Sequence, residues 1–160
     1  MKFCVLESPF GRVIVAGDDR GLAFLDFQGG RNAPKPGADW AEDERWPLFR
    51  DVKRQVREYF ARRRTAFELP LAPRGTPFQK RVWEELTRVP YGTTVTYTEL
   101  ARRAGKPKAI RAAGAANGRN PISIVIPCHR VLGKDGSLTG YGGGLSVKRA
   151  LLLLEGAPVS

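Results

Sequence analysis

The sequence predicts an α+β chain of two domains, a small antiparallel sheet with one helix over residues 1–75 and a mostly helical domain over 76–160. Three observations predict it. Residues 2–27 alternate short β-branched or aromatic runs with turn signals. From about Arg45 the apolar residues recur at helical spacing instead. Between Thr96 and Asn117 two short helical segments flank a glycine, which is the pattern of a helix-turn-helix.

Taken in order, residues 3–6, 12–16 and 22–27 read as strands, separated by Pro9-Phe10-Gly11 and by Asp18-Asp19-Arg20-Gly21. Turns this short make the three an antiparallel meander. Residues 28–39 carry Gly29, Gly30, Pro34, Pro36 and Gly37 and read as a loop. A helix is expected over 45–62, with Leu48, Val52, Val56, Tyr59 and Phe60 covering one face of the sheet. The triplet Arg62-Arg63-Arg64 suits a solvated helix end, where the dipole favours cations. Residues 69–75, with Pro70, Pro73 and Gly75, form a linker, and the domain boundary is placed after Gly75.

Thr76 can cap a helix with Pro77 in its first turn and an apolar face of Phe78, Val82, Trp83 and Leu86. Pro90-Tyr91-Gly92 breaks it. Thr96 can cap the next helix, which holds Tyr97, Leu100, Ala101 and Ala104; Gly105 makes the turn, and Lys106-Pro107-Lys108 leads into a helix over 109–117. That second helix is almost all alanine and glycine, so only Arg111 projects far. Such a thin helix can enter a groove on one face and pack closely on the other. Ile122, Ile124, Val125 and Ile126 read as a buried strand ended by Pro127, which lacks a ladder donor. Residues 133–144 form a glycine-rich loop carrying Tyr141, without the Gly-Lys-Ser/Thr ending of a phosphate-binding loop. The last helix, 146–154, is apolar at Val147, Ala150, Leu151 and Leu154. Glu155 stands at its C-terminal end, where the dipole disfavours an acid, so another group must want that carboxylate.

Charge narrows the function classes. The net charge is +11; residues 1–75 carry 14 Lys and Arg against 11 Asp and Glu, and residues 76–160 carry 13 against 5. The second domain therefore holds most of the positive field, as suits a polyanionic partner such as nucleic acid. No apolar run is long enough to span a bilayer. The N-terminal residues do not read as a signal peptide, and two cysteines fit a reducing compartment, so a cytoplasmic protein is expected. One histidine and two cysteines do not furnish a conventional zinc site; no metal and no cofactor are expected.

The chemistry concentrates in Cys128-His129, which joins one of two cysteines to the sole histidine. A thiol at the mouth of a rigid segment, beside an imidazole, suggests an activated nucleophile, because the thiolate is the reactive form.

The segment from Thr76 to Gly156 resembles the O6-alkylguanine-DNA alkyltransferases, the methylated-DNA–protein-cysteine methyltransferases. The resemblance rests on Gly-Thr-Pro-Phe-Gln (75–79), Val-Trp (82–83), Tyr-Gly-Thr-Thr (91–94) and Ala-Asn-Gly-Arg-Asn-Pro (116–121). Ile-Pro-Cys-His-Arg-Val (126–131) and Gly-Tyr-Gly-Gly-Gly-Leu (140–145) complete the set, in order and at the family's spacing. Residues 1–75 match more loosely, through Ser8-Pro9-Phe10-Gly11 and the strand pattern.

The resemblance implies a ribonuclease H-like N-terminal sheet domain and a C-terminal domain with a winged helix-turn-helix. It implies repair of O6-alkylguanine in double-stranded DNA, with O4-alkylthymine a further candidate substrate, by irreversible transfer of the alkyl group to Cys128 in a single turnover. By motif position, His129 acts through water as the base, Glu155 orients His129, Asn120 holds the active-site turn, and Tyr97 donates a proton to the leaving guanine. Arg111 enters the base stack in place of the flipped nucleotide, and Thr98, Lys106 and Lys134 join Tyr97 and Arg111 at the DNA. Tyr141, Gly142 and Gly143 wall the lesion pocket. Relatives often carry serine or alanine at the Gly142 position, so the glycine is expected to widen that pocket. The family resemblance also implies a monomer, with cooperative binding along DNA left open. Members with a structural zinc use additional cysteines and histidines in the N-terminal domain; here only Cys4 is present.

The chemistry itself asks for these residue types. A soft thiolate suits in-line attack on an sp³ carbon, and a guanine anion leaves poorly unless protonated. The target atom is hidden in the duplex, so the nucleotide must be flipped out, at a cost of a few kcal/mol. Three other functions fit the sequence less well. A non-catalytic sensor of alkylated bases would replace the acceptor cysteine, which is retained here. A papain-like cysteine hydrolase would place Cys and His far apart in sequence. A transcription regulator would want a dimerisation pattern, and none is seen.

Overall fold

The computed structural model describes residues 1–159. Strands β1 (Lys2–Ser8), β2 (Gly11–Asp18) and β3 (Gly21–Phe27) form the expected antiparallel meander. Its second turn is tight against the linker. Gly21 sits at φ 138°, and a Cβ there would come 2.6 Å from the Pro70 carbonyl oxygen, so only glycine fits.

One part of the sheet departs from the antiparallel expectation. Strand β4 (Ala41–Glu42) pairs parallel to β1, giving a mixed sheet in the order β3-β2-β1-β4. The loop over 28–40 crosses to the far edge, where the Ala41 and Asp43 amides donate to the carbonyls of Met1 and Phe3 at 3.1 and 3.0 Å. Trp40 anchors the crossing between the rings of Phe3 and Phe24. Two residues of strand give no alternation to read, so the sequence shows only a loop there.

Helix α1 (Pro47–Phe60) starts at its proline and buries Phe49, Val52, Val56 and Tyr59. Helix α2 (Pro77–Thr87) opens on a complete capping box. The Thr76 hydroxyl accepts from the Gln79 amide at 3.1 Å, and the Gln79 side chain accepts from the Thr76 amide at 2.9 Å. Strand β5 (Val95–Thr96) leads directly into α3 (Tyr97–Arg103), which Thr96 caps by accepting from the Glu99 amide. Gly105 turns the chain at φ 83° into α4 (Ile110–Gly118). Trp83 ties α2 to α4, its indole N–H donating to the Ala116 carbonyl at 2.8 Å. Strand β6 (Val131–Leu132) pairs parallel to β5, and α5 (Leu145–Leu154) closes the chain. One apolar core runs through both halves, from Val13, Val15 and Leu25 in the sheet to Val82, Leu86 and Ile122 beyond it.

The expected strand over 122–126 is instead a buried turn. It takes up the free edge of β3 for one bridge only: the Leu25 amide donates to Pro121 and the Ser123 amide to Leu25, at 2.9 and 2.7 Å. The chain then folds back on itself, with the Ile126 amide donating to the Ile122 carbonyl at 3.0 Å and Ile124 at φ 72°. A β-branched residue in the left-handed region is costly, and the surrounding core must hold it there. Prolines at both ends leave only five residues between them. The run is apolar because all of it is buried, not because it extends.

Candidate active site

The turn over 121–127 delivers Cys128, and Asn120 closes that turn. The Asn120 carboxamide donates to the carbonyls of Ile126 (2.7 Å) and Ile122 (3.4 Å) and accepts from the Ile122 amide at 3.0 Å. One fully buried side chain thus satisfies backbone groups that a strand would have paired with a neighbour. Cys128, His129 and Arg130 follow as a single 3-10 turn, all three buried.

Glu155, the C-cap of α5, is the hub of this centre. Its Oε2 lies 2.7 Å from His129 Nε2 and accepts from the Tyr59 hydroxyl at 2.6 Å and from Arg130 Nη2 at 3.0 Å. Its Oε1 accepts from Arg130 Nε at 2.8 Å and from the Gly92 amide at 3.4 Å. Burial pushes this carboxyl up, yet the donors from His129 and Arg130 together hold it down at about 2. These partners explain how an acid persists at the unfavourable end of a helix. An ionised carboxylate only accepts, so the His129 proton sits on Nε2 and Nδ1 keeps its lone pair. Nδ1 has no hydrogen-bond partner among the described residues. Burial also lowers the His129 pKa below its ordinary value, against the pull of Glu155, and so keeps the ring neutral.

The thiol beside it is not ionised at rest. Burial pushes Cys128 up to about 11, the Asp26 charge pushes the same way, and Asn120 and Lys148 pull back. Bringing such a thiol to its thiolate at neutral pH costs on the order of 5 kcal/mol. A thiol in this state would need a base to become a nucleophile.

Tyr97 stands at the start of α3, half-buried, its hydroxyl donating to the Thr139 carbonyl at 2.9 Å. Burial raises its pKa, so it remains a donor. Tyr141 is buried, with no partner for its hydroxyl among the described residues. Gly143 is bare because the Tyr141 ring folds over it; a Cβ would come 2.9 Å from that ring and 3.1 Å from Phe27. Gly142 does not widen the pocket as expected. The space left by its missing Cβ faces Asn32 Nδ2 at 3.2 Å, and its carbonyl accepts from the Arg31 amide at 3.1 Å. The loop after β3 uses the room.

A cavity of about 320 Å³ opens between α4 and the Tyr141 loop, bounded by Arg31, Tyr97, Gly114, Gly118, Arg119 and Gly140. The remaining candidates lie on the surface: Thr98 in the first turn of α3, Lys106 in the turn after it, Arg111 in the first turn of α4, and Lys134 beyond β6. Among the described residues Lys106, Arg111 and Lys134 form no ion pair. The structure thus gathers Cys128, His129, Glu155 and Asn120 into one centre and leaves these four exposed.

Four residues of the centre were not singled out from sequence. Arg130 is bidentate to Glu155 and also donates to the Val89 carbonyl at 2.7 Å. Tyr59 reaches Glu155 from α1. Lys148, wholly buried, donates from α5 to the carbonyls of Val131 and Thr139 at 2.6 and 2.7 Å, tying β6 to the middle of the glycine-rich loop. Burial lowers its pKa to about 8. Asp26 accepts from the Ser123 hydroxyl at 3.1 Å and binds the turn to β3. A lone lysine in a leucine-rich helix was a usable signal for Lys148. Asp26 likewise interrupts an otherwise apolar strand.

Comparison with known proteins covers nearly the whole chain. The family model described as 6-O-methylguanine DNA methyltransferase, DNA binding domain, matches residues 77–157, and the one described as its ribonuclease-like domain matches residues 1–73. A methylated-DNA–protein-cysteine methyltransferase of Methanosarcina barkeri is 50% identical over 155 residues, 97% of each chain. The constitutive enzyme of that name from Bacillus subtilis is 40% identical over 157 residues, covering 94% of this chain and 92% of that one. Among solved structures, Mycobacterium tuberculosis OGT in complex with DNA is similar with a TM-score of 0.89 at 43% identity, covering 99% of this chain and 96% of that chain.

Proposed function

The chain belongs to the 6-O-methylguanine DNA methyltransferase family, and from that premise we propose how its residues divide the work of repair. The protein is a methylated-DNA–protein-cysteine methyltransferase. It binds DNA and removes the alkyl group directly onto one of its own cysteines. We assign the acceptor to Cys128, the substrate to O6-alkylguanine in duplex DNA, and the route to a nucleotide flipped into the cavity beside Tyr97.

The observation that carries the assignment is the fixed tautomer of His129. Glu155 holds the proton on Nε2, so the free lone pair is on Nδ1. Through a water, Nδ1 takes the Cys128 proton as sulfur attacks the alkyl carbon. The S–C bond forms, the C–O6 bond breaks, and Tyr97 gives the leaving guanine a proton; solvent then returns a proton to the Tyr97 oxygen and takes the one held by His129. The imidazolium formed is stabilised by Glu155. The product is a thioether, which offers water no carbonyl to attack. Each molecule therefore works once.

Arg111, exposed on the thin helix α4, fills the space of the flipped base, and Thr98, Lys106 and Lys134 contact phosphates. Tyr141, with Gly143 beneath its ring, walls the lesion. In this reading residues 1–75 are a ribonuclease H-like domain and 76–160 a winged helix-turn-helix domain. The protein acts as a cytoplasmic monomer.

Intact-protein mass after incubation with a duplex carrying one O6-methylguanine tests the assignment. One methyl per protein is expected, and none in Cys128→Ser. Tight binding of that duplex with no mass gain by the unaltered protein would make it a sensor of alkylated bases instead.

A further inference from the structure

We propose that Tyr59 is a positioning residue for the alkyl transfer, holding the Glu155 carboxylate in register with His129 from the other half of the chain. The inference rests on the reading of His129 as base and Glu155 as its partner.

Tyr59 sits in the last turn of α1, ninety-six residues before Glu155 in sequence, and is fully buried. Its ring is fixed edge-on by Phe60 and Tyr91, at centroid distances of 5.2 and 6.2 Å, with Phe67 at 5.5 Å on a tilted face. Among the described residues the hydroxyl has one partner, Glu155 Oε2, at 2.6 Å. That is the oxygen facing His129. Burial, with Glu155 beside it, raises the phenol pKa far above 10, so Tyr59 is a permanent donor.

A carboxylate free to turn about its terminal bond would trade oxygens between His129 and Arg130. Tyr59 and the bidentate Arg130 fix both oxygens, which keeps Oε2 and not Oε1 facing Nε2. The phenol also draws charge out of Oε2 and so tempers the basicity of His129. Among the described residues the groups facing this pair are Arg130 from the 3-10 turn, Tyr91 and the Gly92 amide from the segment after α2, Lys148 from α5, and Tyr141 from the glycine-rich loop. Tyr59 is the member supplied by the first half of the chain.

The test compares the unaltered protein, Tyr59→Phe and Phe60→Leu. The last loosens the same aromatic cluster and keeps the Tyr59 hydroxyl. Two rates are followed against pH, methyl transfer from an O6-methylguanine duplex and carboxamidomethylation of Cys128 by iodoacetamide without DNA, each located by peptide mass to exclude Cys4. Tyr59→Phe is expected to slow methyl transfer about tenfold at neutral pH, as loss of an orienting contact does. The acid limb of both profiles should move to higher pH, because Oε2 then holds the His129 proton more strongly. Phe60→Leu should lower the melting temperature and leave the limb in place.

An unmoved limb in Tyr59→Phe, with the rate either unchanged or lowered equally at every pH, overturns the proposal and leaves Tyr59 a packing residue. A moved iodoacetamide limb in a protein whose parent accepts no methyl from the duplex would sustain the relay while sinking the alkyl-transfer reading.

Discussion

Two buried carboxylates bear on the Cys128 turn, and their pKa values are shifted in opposite directions. Glu155, at 6% exposure, receives five hydrogen bonds and is pulled down to about 2. Asp26, at 0%, receives two on Oδ1, from the Phe27 amide and the Ser123 hydroxyl, while Oδ2 has no partner among the described residues. Its pKa is raised by burial. Depth is nearly the same, so depth does not decide the direction of the shift. Donors do. A carboxylate surrounded by donors can serve as a fixed anion beside a base, whereas one left half-satisfied opposes ionisation of the thiol it faces.

The strongest way to break the comparison is Glu155→Gln. The amide can accept at one position only, and its NH₂ would point at Arg130 or His129. Removing one partner of a buried charge pair costs about 3–5 kcal/mol, because the other charge is left stranded. The urea midpoint should fall accordingly, and methyl transfer should drop by about 100-fold or more as His129 loses its tautomer. Transfer within a few-fold of the unaltered rate would mean that Glu155 serves the fold and not the base.

Acid unfolding sharpens the contrast next. Glu155 is depressed when folded, so its contribution is full above the ordinary carboxylate value of 4.5 and is lost as pH falls toward about 2. Its size is on the order of 3 kcal/mol. His129, also depressed, adds a loss that begins as pH falls below 6.5. Asp26 has the reverse sign, since a raised carboxyl costs stability as pH climbs past 3.8. Stability measured by urea titration should therefore fall most steeply below pH 4.5, where the Glu155 loss adds to that of His129, with Asp26 offsetting part of the fall above 3.8. In Glu155→Gln the limb below 4.5 should flatten. Equal limbs in the two proteins would count against Glu155 as an anion in the fold.

The contrast also marks what the sequence could tell. The meander, α1, the capped helices and the Cys128-His129 pair were legible because each follows a local rule of spacing, capping or turn chemistry. Glu155 was legible as an anomaly, an acid at the wrong end of a helix. Its donors were not. Tyr59 reads as one more residue on the sheet-covering face of α1, and nothing local says that its hydroxyl passes through the core to Glu155. The buried turn over 122–126 was misread for a related reason. Apolar β-branched residues report burial, while the fold of that run is set by Asn120 and the edge of β3, which are distant or non-periodic features. Gly142 was assigned to the pocket because the loop containing Asn32 lies far away in sequence.

The smallest and most telling change is Asp26→Asn. The amide oxygen can still accept from Ser123 and Phe27, so the β3 edge and the turn keep their bond, and only the charge is removed. Stability at neutral pH should be unchanged or higher by less than about 1 kcal/mol, since a half-satisfied anion is no longer buried. The effect on the thiol should be visible although modest. With the Asp26 charge gone, one of the influences holding Cys128 at about 11 disappears, and its carboxamidomethylation profile should move to lower pH. A move to higher pH would mean that Asp26 is neutral beside the thiol and donates a proton into the site. In that case the two carboxylates would differ in role, Asp26 as a proton donor and Glu155 as the fixed anion beside the base, and their opposite shifts would serve one working centre.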